Sequence, residues 1–323
     1  MKARFRVGCV PYVNARPLVA CFDQPNEFVE VVYDVPSRLP ALLDSGEVDA
    51  ILVSSIEYLR REDLVVIGEV GIMSNGPVAS VRMLSKVPLE EIQTLALDES
   101  SMTSNMLAQI ILAERGARPS LVTMEPDQAA MLAACDACVL IGDKGLEADG
   151  TGLVDIDLGA AWTELTGESF TWAVWLARAD KFPEPRWDEV DNFELLSRVL
   201  FMGMICCGFH GLHEFLDLEA NPSYRRLSEL RREERRAMVA VNVSETESRR
   251  KFVIDGACER SGWSPKMVEA YLSNNVRHSG KLWEALVLFH EYLLKWNLLG
   301  HHREFANHRG SDTAGEAILR LIP

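Results

Sequence analysis

No run of eighteen or more apolar residues occurs in the chain, which leaves no candidate for a transmembrane helix. Basic residues are outnumbered: 33 lysines and arginines stand against 48 aspartates and glutamates, a formal net charge of −15. That balance argues against broad nucleic-acid binding and against docking on an anionic membrane. It leaves room for a small anionic ligand, which feels only the local charge of a cleft. There is no glycine-rich nucleotide loop, no internal repeat and no low-complexity tract. No secretory leader is expected at the N-terminus: the basic Met1-Lys2-Ala3-Arg4-Phe5-Arg6 is followed by Arg16 and Pro17, which interrupt any apolar core region. Leu18-Val19-Ala20-Cys21 resembles a lipoprotein cleavage box only by coincidence, because no apolar stretch precedes it. The expected compartment is the cytoplasm.

Cysteine is present in an odd number, seven, with no regular framework. Cys135-Asp136-Ala137-Cys138 has the spacing of a redox pair or half a zinc site, but no second such pair supplies the missing ligands. Cys138 opens an apolar strand, so a packing role is expected for both. Cys206-Cys207, His210 and His213 keep a metal site open, whereas His301, His302 and His308 read as solvated surface. The expectation is a protein that needs no metal and no cofactor. Oligomeric state is not legible.

With 323 residues, two lobes are the natural organisation. Phe5, Val7 and Cys9 alternate with arginines as a strand. Strands are also predicted at residues 28–32, 49–53 and 64–67, with a helix over 37–43 closed by Gly46. Asp49-Ala50-Ile51-Leu52-Val53 is a short apolar run of the buried parallel kind, and Ser54-Ser55 start the turn after it. The alternation implies a mostly parallel sheet with helices on both faces. Gly76-Pro77-Val78-Ala79-Ser80-Val81 is extended with no helix after it, and reads as a strand crossing to a second lobe near residues 77–83. A second lobe then carries strands at 94–98, 121–124, 138–141 and 154–156, and residues 170–178 read as the return crossing. The expected division is 1–82 with 175–323 for the first lobe, the latter part helical, and 83–174 for the second. The mixed charges of residues 224–243 mark a solvated helix face. Further helices are expected from Ser264-Pro265 and over 280–299.

Three polar side chains, Tyr12, Asn14 and Arg16, share the tight turn after the first strand, with Pro17 suited to the first turn of a helix. In open α/β sheets, ligands bind at such carboxyl ends of strands. Asn14 offers an acceptor and two donors without charge, and Arg16 a fork suited to a carboxylate. Taken singly, the turn is better explained as merely capped and solvated. Glu99-Ser100-Ser101-Met102-Thr103-Ser104 surrounds a helix start with hydroxyls, which fits a carboxylate site and a redundant N-cap equally well. Asp143, at another strand end, fits a helix cap and a site residue alike. Ser80 in a crossing strand would face the cleft between lobes.

Four segments together resemble the chorismate dehydratases of the futalosine route to menaquinone. They are Val10-Pro11-Tyr12-Val13-Asn14-Ala15-Arg16-Pro17-Leu18, Gly76-Pro77-Val78-Ala79-Ser80-Val81, Asp98-Glu99-Ser100-Ser101-Met102-Thr103-Ser104, and Trp162-Thr163-Glu164-Leu165-Thr166-Gly167 with residues 170–175. The likeness runs from about residue 5 to 178 and resumes near 262–299. It implies a two-lobed α/β fold of the type II periplasmic-binding-protein kind, with two crossing strands. It implies that chorismate loses its C3 proton and C4 hydroxyl to give 3-enolpyruvylbenzoate. By the same resemblance Asn14 and Ser80 are the residues tied to catalysis, and Thr103 and Ser104 contact a substrate carboxylate. Tyr12, Arg16, Ser101 and Asp143 complete the expected binding set. Met102 stands where the family commonly has arginine and Ser169 where proline is common, and residues 200–248 form a longer stretch than usual. Two alternatives stand beside this reading: a cytoplasmic small-anion-binding or sensor module of the same fold, and the related 1,4-dihydroxy-6-naphthoate synthase. The Tyr12-x-Asn14-x-x-Pro17-Leu18 pattern fits the dehydratase better.

Overall fold

The computed structural model describes residues 4–23, 29–181, 196, 200, 246–275, 277–278 and 282–300. Two sheets organise them. The first holds β1 (Phe5–Cys9), β2 (Val29–Tyr33), β3 (Ala50–Ser54), β4 (Leu64–Ser74), β10 (Phe170–Arg178) and β11 (Arg277–His278), in the order β11-β4-β10-β3-β1-β2. The second holds β5 (Val81–Ser85), β6 (Thr94–Asp98), β7 (Ser120–Met124), β8 (Ala137–Ile141) and β9 (Val154–Asp157), in the order β7-β6-β8-β5-β9.

The mostly parallel pairing that the sequence implies holds only in part. β1 runs parallel to β2 and β3, and β6 to β7 and β8. β10 is antiparallel to β3 and β4, and β5 to β8 and β9. β5 and β10 are the strands by which the chain enters one sheet and re-enters the other. Each is antiparallel to both of these neighbours, and β10 enters the first sheet directly after α7.

The crossings themselves are short connections, residues 75–80 outward and 167–169 on return. The strand expected across 77–83 is divided, its first half in the outward connection and its second half in β5. The run at 170–178 does not cross: it pairs with β3 and β4 and lies wholly in the first sheet. The expected lobe boundaries at 82/83 and 174/175 therefore each fall inside a strand.

Helices follow the strand ends. They are α1 (Arg16–Val19), α2 (Leu39–Ser45), α3 (Ile56–Arg60), α4 (Thr103–Glu114), α5 (Gln128–Ala134), α6 (Gly142–Glu147) and α7 (Leu158–Thr166). Gly46 and Gly167 close α2 and α7 at φ 75° and 76°, the left-handed cap that glycine adopts without strain. α8 (Thr246–Ser261), α9 (Pro265–Asn275) and α10 (Leu282–Lys295) form the helical C-terminal region. α8 and α9 cover the turn after β1, where Val13 and Ala20 share an apolar cluster with Val253, Ala257, Val268, Tyr271 and Leu272. α10 closes the return connection from behind. Phe289 sets its ring 4.9 Å from Phe170 and 6.2 Å from Trp162 of α7, edge-on in both cases. Each such pair adds about 0.5–1.5 kcal/mol beyond the area it buries.

Cys135 and Cys138 lie in a satellite core with Leu84, Ala96, Met131 and Leu140, and burial pushes the Cys138 thiol up to about 11. The expected helix at 224–243, the cysteine–histidine group at 206–213, and His301, His302 and His308 fall outside the described residues. No described helix is long and apolar enough to cross a membrane.

Candidate active site

The turn after β1 is a single 3-10 turn, Val13–Ala15, followed at once by α1 with Pro17 near its start. Val13 and Ala15 are buried, and this forces the residue between them outward. Asn14 is only half-buried, yet its Oδ1 is sealed from solvent with no hydrogen-bond partner among the described residues. Buried acceptors of this kind are rare, because an unmade bond costs about 1–3 kcal/mol. Arg16 is placed differently from the sequence expectation. Its guanidinium forks onto both oxygens of Asp23 and donates to Tyr33 Oη at 2.6 Å. A carboxylate seven residues on already fills the fork that was assigned to a substrate.

Beside that turn in the same sheet, the end of β3 meets the start of α4, which follows β6 of the second sheet. Ser54 ends β3, and its Oγ lies 2.5 Å from Thr103 Oγ1. The Thr103 backbone N–H donates to Ser54 Oγ at 3.2 Å, and the Ile56 N–H donates to Thr103 Oγ1 at 3.2 Å. The starts of α3 and α4 are thus stitched together by hydroxyls, and Ser55 Oγ donates to the Thr171 carbonyl at 2.7 Å. Ser101 and Ser104 are buried beside Thr103. Ser54 and Ser55 join this candidate hydroxyl cluster; the sequence reading placed them in a turn but did not select them. Their signal was present: hydroxyls immediately after a buried parallel strand. Arg60 brings a guanidinium to this edge, its Nη1 3.9 Å from Met102 Sδ and 4.0 Å from the Glu57 carboxylate.

The outward connection carries Ser80, which is 1% exposed. Its neighbour Ala79 has φ 64°, a conformation that costs a non-glycine residue about 1 kcal/mol or more. The conformation is held from one side by Asp157, the N-cap of α7. Its carboxylate accepts from the N–H groups of Val78 at 3.0 Å, Ala79 at 2.6 Å and Ala160 at 3.0 Å. From the other side α6 presses directly on the backbone: a Cβ on Gly145 would sit 2.2 Å from the Ser80 carbonyl oxygen. Gly145→Ala should therefore lower unfolding free energy by about 1–3 kcal/mol, the range for overpacking. Urea denaturation measures this, and an unchanged midpoint would show that the segment yields freely.

α9 closes the group. Tyr271 Oη donates to Ser80 Oγ at 3.0 Å, and Asn275 Nδ2 donates to the Val78 carbonyl at 3.3 Å. Nothing local in the sequence marks these two residues, which are separated from their partners by 191 and 197 positions. Tyr12 lies against the start of α6, where a Cβ on Gly142 would be 4.0 Å from its ring. Burial raises the Tyr12 phenol, and the carboxylates of Asp98 and Asp143 raise it further. Burial likewise pushes Asp98 up, against its hydrogen bonds from Ser100. Tyr12, Ser80, Tyr271 and the exposed Asp143 thus belong to one neighbourhood, and Ser101, Thr103 and Ser104 to the hydroxyl bridge beside it. Arg16 belongs to neither. The arrangement can orient and hydrogen-bond a small molecule through neutral donors and acceptors.

Two α/β sheets joined by two short connections, with their strand-end turns facing each other, define a binding-protein-like fold. Solved structures share it. A protein from Archaeoglobus fulgidus superposes with a TM-score of 0.60 at 14% identity, over 91% of this chain and 98% of that one. The periplasmic aliphatic sulphonate binding protein SsuA from Escherichia coli gives 0.54 at 13% identity, over 95% and 94%. At such identities the likeness concerns the fold alone. The chain belongs to the menaquinone biosynthesis family, whose model matches residues 5–197. The chorismate dehydratase of Thermus thermophilus is 31% identical over 196 residues, 54% of this chain and 72% of that protein. The chorismate dehydratase of Campylobacter jejuni is 31% identical over 176 residues, 51% of this chain and 64% of that protein. The match to the latter thus spans a little under two thirds of its length.

Proposed function

We propose that this chain is a chorismate dehydratase, a hydro-lyase that removes water from chorismate to give 3-enolpyruvylbenzoate in menaquinone biosynthesis. Membership of the family and the two dehydratase relatives support the reading. The observation in the site that carries it is the buried Oδ1 of Asn14, without a partner among the described residues, in the turn after β1. An amide is too weakly basic to take the C3 proton. Asn14 is instead suited to hold the C4 hydroxyl, accepting a hydrogen bond from it at Oδ1, while Ser80 hydrogen-bonds the oxygen as it departs. Thr103, Ser104 and Ser101 supply neutral donors to one carboxylate, with Ser54 sharing that role. Arg60, beside Met102, provides the cation that position 102 itself lacks. Tyr12 bounds the site, its phenol pushed up first by burial and then by the carboxylates of Asp98 and Asp143. The ring becomes aromatic, so much of the driving force lies in the substrate. The protein has to orient it and exclude water. A carboxylate of the substrate serves as base.

Purified protein incubated with chorismate, without added metal or cofactor, should yield an aromatic product lighter by one water, read by chromatography and mass spectrometry. Ser80→Ala should slow this by roughly 5- to 100-fold, the equivalent of a lost hydrogen bond at the reacting end. Chorismate that binds but is never converted would favour the small-anion-binding or sensor module. A protein that neither binds nor converts chorismate would leave the dihydroxynaphthoate synthase as the better reading.

A further inference from the structure

α9 carries into the site a buried phenol that the dehydration scheme above leaves unused. Tyr271 is 7% exposed, and its Oη donates to Ser80 Oγ at 3.0 Å. A serine hydroxyl has one hydrogen to give and two lone pairs to receive with. Tyr271 fills one lone pair. No other side-chain or backbone partner of Ser80 Oγ occurs among the described residues, so the serine's own hydrogen is left for a bound molecule. Hydrogen bonds in series polarise one another, and a hydroxyl that accepts from a phenol becomes a stronger donor itself.

The phenol is fixed rather than free to swing. Trp263 packs edge-on against its ring at 5.5 Å between centroids. One turn further along α9, Asn275 Nδ2 donates both to the Tyr271 carbonyl at 2.8 Å and to the Val78 carbonyl at 3.3 Å. The helix and the segment bearing Ser80 are thereby held in register. Burial, reinforced by the Asp143 carboxylate, pushes the phenol's pKa up against the opposing hydrogen bond to Ser80. Tyr271 stays protonated and works as a donor.

We propose that Tyr271 is a positioning residue for the dehydration, aiming and polarising the Ser80 hydroxyl toward the departing C4 oxygen. The inference rests on the chorismate dehydratase reading. The elimination balances without any other reactant. The C3–H electron pair becomes the new ring double bond, and the C4–O pair leaves with the oxygen. The C3 proton, taken by the base, ends on that oxygen as water. Ser80 lends a hydrogen bond throughout and ends as serine.

The test is a double-mutant cycle with chorismate as substrate. Tyr271→Phe keeps the ring and removes the donor. It should lower kcat by about tenfold or more with little change in KM, because the bond matters as charge develops on the oxygen. In a Ser80→Ala background, Tyr271→Phe should have no further effect. A merely structural tyrosine predicts the opposite: equal losses in both backgrounds, together with a lowered melting temperature. Unchanged kcat in Tyr271→Phe, or equal losses in both backgrounds, would overturn the proposal while leaving the reaction in place. A wild-type protein that does not consume chorismate would overturn the reading and this inference with it.

Discussion

Asn14→Asp should all but abolish turnover of chorismate, by on the order of a thousandfold. The substitution preserves shape and replaces a neutral amide with a carboxylate. The site already feels the charges of Asp98 and Asp143 through Tyr12, and the proposed substrate carries two carboxylates. Like charges about 4 Å apart repel by about 4 kcal/mol at the effective dielectric of a partly buried site, and this falls on binding as well as on the chemical step. Asn14→Ala keeps the site neutral and loses only the orienting bonds, so its defect should be smaller and weighted toward kcat. Steady-state kinetics on all three proteins separates the two effects. Equal activity of Asn14→Asp and wild type would remove this turn from the site altogether.

Asp157→Ala is the second large effect, and it reaches the site through the backbone. One carboxylate takes three N–H groups, two of them in the connection that carries Ser80. Without it, Val78, Ala79 and Ala160 lose their partners, and Ala79 loses what holds it at φ 64°. We expect a loss of about 2–5 kcal/mol in unfolding free energy, since each buried unsatisfied donor costs about 1–3 kcal/mol and some of these regain water. Turnover should fall further than in Ser80→Ala, because the whole segment relaxes rather than one hydroxyl being removed. Urea denaturation and kcat measured on the same preparation check both. A destabilised but fully active variant would show that Ser80 keeps its place without this anchor.

Where the chain signals its local state directly, the sequence and the structure agree. Pro17 lies at the start of α1, Gly46 and Gly167 end their helices, and the apolar run before Ser54 is a buried strand, parallel to β1 on one side and antiparallel to β10 on the other. These signals act within a few residues and need no knowledge of the rest of the fold. The return run shows what such signals lack. Residues 170–178 are buried on both faces, so their pattern fixes a strand but not the sheet it joins. Arg16 shows the same limit at the level of one side chain: an arginine in a strand-end turn is available to a ligand only if no carboxylate reaches it first, and Asp23 does. Tyr271 and Asn275 lie on a helix whose own pattern says only which face is apolar. Their role exists because α9 is laid over a connection nearly two hundred residues earlier in the chain.

The place of β10 sets an order of assembly. β3 and β4 are consecutive in the chain, yet in the sheet they never touch, because β10 lies between them. A growing chain that has reached Ser74 therefore holds a three-stranded β2-β1-β3 half-sheet and a long strand with nowhere native to pair. The five strands of the second sheet, by contrast, fall within one unbroken span from Val81 to Asp157, and their pairings need nothing from outside it. Local completeness favours early formation, and pairings between distant segments come late. The second sheet can thus be finished while the first still stands open, waiting for residues 170–178 to slide in as its central strand. Until they do, the exposed edges of β3 and β4 are the chain's most vulnerable surface for wrong pairing.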